Sequence, residues 1–136
     1  MDKITEQMME IYNTYTMDWM DYIIINNNLT YHHIIKKENG GKRTIDNGAL
    51  LTDRAHEYLH TIERLDVDIY NRINKIFKEI NGSKKEPTKT QRRLIDLLLC
   101  EFELKNADKL IPKKEKKGNK KILAAYQKRV NSQLGI

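Results

Sequence analysis

Cysteine, histidine and long apolar runs are scarce in this 136-residue chain: it has one Cys and four His. A lone Cys100 excludes an internal disulfide and every zinc ribbon built on cysteine pairs. Set in LIDLLLCEFEL, it reads as a small apolar helix residue rather than a reactive thiol. The most apolar early stretch, YTMDWMDYIIINNN, is interrupted by Asp18 and Asp21, so no membrane-spanning helix is expected. A positively charged start, an apolar centre and a small-residue cleavage site do not occur in order, so a cytoplasmic protein is expected rather than a secreted one. There is no internal repeat, and no zinc finger or recognition helix that would read base edges.

A mass of 16.1 kDa allows one domain with a modest core. With 39% hydrophobic and 32% charged residues, the chain reads as small and soluble with much surface. Its net charge of +6 is unevenly placed. Residues 1–83 carry ten Lys/Arg against thirteen Asp/Glu, and residues 84–136 carry fifteen against six. A basic C-terminal part suits a polyanionic partner, nucleic acid being the commonest.

The periodicity predicts a mostly helical α+β fold. Ile4, Met8, Ile11, Tyr12, Tyr15, Trp19 and Tyr22 recur at helical spacing, which predicts an amphipathic helix over the first twenty residues. LTYHHII and ALLT read as two short strands joined by the polar, glycine-containing KKENGGKRTIDNG, a hairpin with a long connection. Thr52 is placed to cap a helix carrying DRAHEYLHTIER. A second helical pattern over Ile69, Ile73, Ile76, Phe77 and Ile80 should stop at Asn81-Gly82, and Asp66 is placed to cap its start if the two helices are separate. Thr88 and Gln91 predict a capping box ahead of Leu94, Ile95, Leu97, Leu98, Leu99, Phe102 and Leu104. A basic linker, IPKKEKKGNKK, and a weakly helical tail over residues 122–130 close the chain. The expected division is residues 1–82 as a core with its N-terminal helix, and residues 83–136 as a basic helical extension packed on it.

All four histidines fall between residues 30 and 60, as the adjacent pair His32-His33 and the pair His56 and His60. Four apart on a helix, His56 and His60 project from one face, where two imidazoles can share a metal ion. Taken alone, such a pair is more often two ordinary helix histidines. Adjacent residues of a regular strand point to opposite faces, so His32 and His33 cannot both look into one site unless the strand bends near its end. Either one of them is structural, or one ligates a metal while the other reaches the substrate.

The order HH, GG, Asn, H-x-x-x-H, carried on strand, loop, strand and helix, resembles the HNH endonucleases, the ββα-metal nucleases, and among them the colicin-type and small bacterial or phage branch. The resemblance spans residues 29–62. It implies a ββα-metal hairpin and helix; the N-terminal helix and the C-terminal helices that flank them are outside it and are expected from the periodicity. By that resemblance His33 is the general base, and His32, His56 and His60 hold one divalent metal ion. Asn47 matches the central asparagine, which orients the base in some branches and binds the metal in others; orientation is favoured, because three histidines already supply the protein's ligands. Gly40-Gly41 matches the loop turn. Two features depart from the family: Gly48 stands where an apolar residue is usual, and the bracing cysteine pairs are missing.

The residue types agree with that chemistry. Neutral imidazole accepts a proton near pH 7. Histidine nitrogen suits Zn²⁺, Ni²⁺, Co²⁺ or Mn²⁺ better than Mg²⁺, and which ion is used stays open. A closed structural zinc site using all four histidines is the rival arrangement. Lys36, Lys37, Lys42, Arg43 and Arg54 are candidate phosphate contacts, and the lysine run over residues 113–121 is the stronger electrostatic one. The expected activity is metal-dependent hydrolysis of double-stranded DNA, one strand per site, with a partner protein supplying any sequence specificity. The alternative is a nucleic-acid- or nucleoprotein-binding, inhibitory protein that keeps the scaffold without cleaving.

Overall fold

The computed structural model describes residues 1–110 and residue 128. The basic linker, the lysine run and nearly all of the helical tail read from the sequence lie outside them. The α-helices and strands follow in order: α1 (Lys3–Ile11), β1 (Leu29–His33), β2 (Gly48–Thr52), α2 (Asp53–Leu65), α3 (Val67–Ser83), α4 (Lys89–Lys105) and α5 (Ala107–Leu110), with two short 3-10 turns, Lys37–Asn39 and Ile45–Asn47, between the strands. The architecture is the mostly helical α+β expected from the periodicity. Among the described residues, no helix is long and apolar enough to cross a membrane.

The first helix is shorter than its apolar stripe suggests. It starts on Asp2, whose Oδ1 accepts from the Thr5 amide at 3.0 Å, and ends at Tyr12, beyond which Asn13 turns left-handed with φ 48°. Further along, Asp18 keeps the chain from becoming helical again. Its buried carboxylate accepts from the amides of Met20 (2.7 Å), Tyr22 (2.9 Å) and Thr52 (2.8 Å), drawing two of its own segment's N–H groups away from helical pairing. Core membership survives the change of backbone. Tyr12 and Trp19 are fully buried and meet edge to face at 5.0 Å, whereas Tyr15, on the same stripe, is 55% exposed.

β1 and β2 pair antiparallel with Leu29 opposite Thr52, His32 opposite Ala49 and His33 opposite Gly48. Thr52 then caps α2 by accepting from the Ala55 amide at 3.2 Å, so the helix leaves the strand with no intervening loop. Helices α2 and α3 are separate. Asp66 breaks them with φ −154° and ψ 82°, and its carboxylate accepts from the Ile69 amide. The stop expected at Asn81-Gly82 falls one residue later, at Ser83, with Lys84 in the left-handed region at φ 54°. Asn81 serves the tertiary structure instead: its Nδ2 donates to the carbonyls of Ile45 and Gly48, and its own carbonyl accepts from the Tyr12 hydroxyl.

The Thr88–Gln91 capping box forms as expected and opens α4. Ile95, Leu98, Leu99 and Phe102 of that helix join Trp19, Leu50, Leu59, Ile73 and Phe77 in one apolar cluster. With the tilted contact of Trp19 and Phe77 at its centre, this cluster fixes the hairpin against α2 and α3. The histidines stand at the edge where those three elements meet.

Candidate functional site

Strand geometry decides where the adjacent histidines go. His32 faces inward, 3% exposed, against His56, Tyr70 and Phe77, with ring centroids at 5.3, 6.4 and 5.9 Å. His33, the last residue of β1, packs its ring edge to face against Tyr31 at 4.9 Å, two residues back and on the other face. Because the strand ends there, both rings still border one pocket. That pocket, ≈ 480 Å³, is lined by His32, His33, Lys36, Lys37, Glu38, His56, His60 and Tyr70.

On α2 the spacing of four brings His56 and His60 together, their rings stacked at 4.9 Å with 21° between planes. His56 Nδ1 lies 3.0 Å from Thr30 Oγ1, and that hydroxyl gives its own proton to the Leu51 carbonyl at 2.7 Å. The His60 side chain is 62% exposed, with Nδ1 3.8 Å from Glu63 Oε1. His32 Nε2 lies 2.8 Å from Oδ1 of Asn74 on α3.

These surroundings favour neutral imidazoles. Burial lowers His32 to about 4, more than the Asn74 hydrogen bond can restore. His56 is lowered by burial and then by the charges of His60 and His33. His33 is lowered by partial burial, then by Arg43 and Lys37. Neutral rings have one nitrogen lone pair each, which both a metal ligand and a general base require.

The donor set suits a borderline divalent ion by its chemistry, since His32, His56 and His60 border the same pocket. Their donor atoms are not drawn together. Among the described residues no three His, Cys, Asp or Glu side chains are arranged to enclose an ion, and the stacked His56 and His60 rings lie face to face. Of the three, His60 has the exposed side chain, which can change rotamer at small cost.

Asn47 acts on the loop rather than on the imidazole. Its Oδ1 accepts from the Ile35 amide at 2.8 Å, and its Nδ2 donates to the carbonyls of Ile35 and Lys42, both at 3.0 Å. This clamp closes the loop two residues beyond His33. The glycine pair serves the same closure: Gly40 takes φ 88°, and a Cβ on Gly41 would stand 1.8 Å from the Ile35 carbonyl oxygen.

The five basic candidates do not gather. Lys36 and Lys37 line the histidine pocket, with Lys36 paired to Glu63 and lying 5.9 Å over the Tyr70 ring. Arg43 pairs with Asp2 and stacks 4.6 Å over Tyr31, behind His33. Lys42 gives the site its carbonyl. Arg54 lies elsewhere, bordering pockets with Tyr22 and Tyr58. Asn74, Tyr70, Thr30 and Glu63 are site residues that motif reasoning passed over. Asn74 had a visible signal, a polar residue within the inward spacing of Tyr70, Ile73 and Phe77.

No family model matches the chain, and neither the curated proteins nor the solved structures include a similar one.

Proposed function

We propose that the protein is a metal-dependent endonuclease of the HNH kind, hydrolysing phosphodiester bonds of double-stranded DNA one strand at a time. One observation supports this reading above the rest. Four histidines in the order of the HNH motif, two on a strand and two on the helix that follows a long loop and a second strand, border a single pocket.

His32, His56 and His60 would hold the ion. A divalent cation bound there supplies Lewis acidity to the phosphate and stabilises charge on the leaving 3′ oxygen. His33, at the rim and neutral at pH 7, takes the proton of the attacking water on a ring nitrogen. Tyr31 holds the His33 ring by its edge, and the Asn47 clamp on Ile35 sets the backbone after it. Lys37, which lines the pocket, brings positive charge to the side from which a phosphate approaches, and Arg43 adds charge from behind His33. DNA as substrate goes with a cytoplasmic location.

The test is supercoiled plasmid incubated with metal-stripped protein, to which Mg²⁺, Mn²⁺, Ni²⁺ or Zn²⁺ is added singly. Open-circular product that depends on the ion supports the reading. A plasmid left intact by every ion turns the reading towards a scaffold that binds nucleic acid or a nucleoprotein without cutting.

A further inference from the structure

Two hydrogen bonds at the back of the pocket bear on which atoms of the site are available to an ion. Thr30 Oγ1 spends its only proton on the Leu51 carbonyl at 2.7 Å, so towards His56 Nδ1, 3.0 Å away, it can act only as an acceptor. His56 must then carry its proton on Nδ1, and its lone pair is on Nε2. His32 presents the mirror case. Its Nε2 lies 2.8 Å from Asn74 Oδ1, an oxygen with no proton to give, so the ring proton is on Nε2 and the lone pair on Nδ1.

The direction of each ring agrees with this assignment. Both imidazoles border the pocket, but neither Thr30 nor Asn74 does. Each ring therefore turns its protonated edge into the protein and its other edge to the pocket. Asn74 is itself nearly buried on α3, where its amide also hydrogen-bonds Tyr70, so it is held from two sides. A neutral histidine that ligates a metal almost always donates its second nitrogen to such a partner, which fixes both tautomer and ring plane.

We infer that Asn74 and Thr30 are positioning residues that hold His32 and His56 as opposite tautomers, presenting Nδ1 of His32 and Nε2 of His56 to the metal ion. This rests on the metal-binding half of the proposed function and adds an element, α3, that lies outside the motif. The ion would be met by two differently oriented rings set by a strand threonine and a helix asparagine. His60, exposed on α2, would be the ligand that moves.

The experiment uses metal-free, ¹⁵N-labelled protein at pH 7.5 and reads the protonated nitrogen of each imidazole from long-range ¹H–¹⁵N correlations. Zn²⁺ affinity is measured in parallel by competition with a chelator. The expected result is His32 protonated on Nε2 and His56 on Nδ1. Asn74→Leu, close in volume but with no acceptor, should leave His56 unchanged, spread His32 over both tautomers and weaken Zn²⁺ roughly 10- to 100-fold. Asn74→Asp, which restores an acceptor, should recover both. Should Asn74→Leu fail to fold, the wild-type spectrum and Asn74→Asp still decide.

Protonation of His32 on Nδ1, or failure to bind Zn²⁺, overturns the inference. A folded Asn74→Leu protein with wild-type affinity does so as well. Since no DNA is present, the two readings fail separately. The expected tautomers and affinities with intact plasmid would sink only the nuclease, and nicking by a protein with the opposite tautomers would sink only this assignment.

Discussion

The side chain of Asn47 and the peptide of Ile35 are joined by two hydrogen bonds, Oδ1 accepting from the Ile35 amide at 2.8 Å and Nδ2 donating to its carbonyl at 3.0 Å. With both ends of its amide held on backbone, Asn47 is placed to brace the loop that follows His33. Asn47→Ala should lower stability by about 1 kcal/mol, since the exposed Ile35 and Lys42 groups it frees can turn to water. It should also slow cleavage by freeing the chain that carries His33. Zn²⁺ affinity should stay within about twofold of wild type. Calorimetric titration checks this, and a loss of affinity as large as the loss of cleavage would return Asn47 to the ligand set.

Gly41 and Gly40 should differ sharply on substitution, although they are neighbours. A Cβ at 41 would meet a backbone oxygen at 1.8 Å, which only movement of the loop relieves, whereas a Cβ at 40 meets nothing within 4 Å. Gly40→Ala carries the left-handed cost, on the order of 1 kcal/mol. Thermal melts should place Gly41→Ala well below Gly40→Ala, and equal melting temperatures would contradict the packing described.

Burial of neutral His32 makes the metal-free protein sensitive to acid. With its pKa about 4 in the folded state and an ordinary 6.5 unfolded, the unfolded chain binds the proton first as pH falls. Stability from this group is intact above pH 6.5, declines between 6.5 and 4, and is fully lost below 4, a change of about 3 kcal/mol. His32→Gln should flatten that part of the profile in urea unfolding measured from pH 7.5 to 4. An unchanged slope would mean that His32 is not the group being titrated.

Asp18 shows where the sequence was legible and where it was not. Helical spacing marked Tyr12 and Trp19 as core, and both are fully buried. The backbone beyond Tyr12 is irregular, and one carboxylate, Asp18, collects amides from residues 20, 22 and 52, the last of them on another element. No local pattern encodes a partner 34 residues away. Capping, by contrast, is local, and Thr52, Asp66 and Thr88 each cap the helix they precede in the sequence. At the site the histidines announced themselves by type and spacing. Asn74 stood out only as a polar residue within an apolar spacing; its pairing with His32 did not, because that bond crosses 42 residues.

Asp18→Ala removes the acceptor for those three amides and should cost on the order of 3 kcal/mol or more, since each buried N–H left without a partner loses its full desolvation energy. Chemical denaturation measures it. A loss below about 1 kcal/mol would show that the segment over residues 13–28 is held by Trp19 and its neighbours alone.

The central claim, that this pocket cuts DNA with His33 as base, is tested most directly by His33→Ala beside wild type on supercoiled plasmid, each loaded with the same ion. His33 is outside the proposed ligand set, so the variant should bind metal and DNA as wild type does. Its open-circular product should fall by about 100-fold or more, the scale of a lost general base. Nicking by His33→Ala at the wild-type rate, with metal and DNA bound equally, would contradict the account.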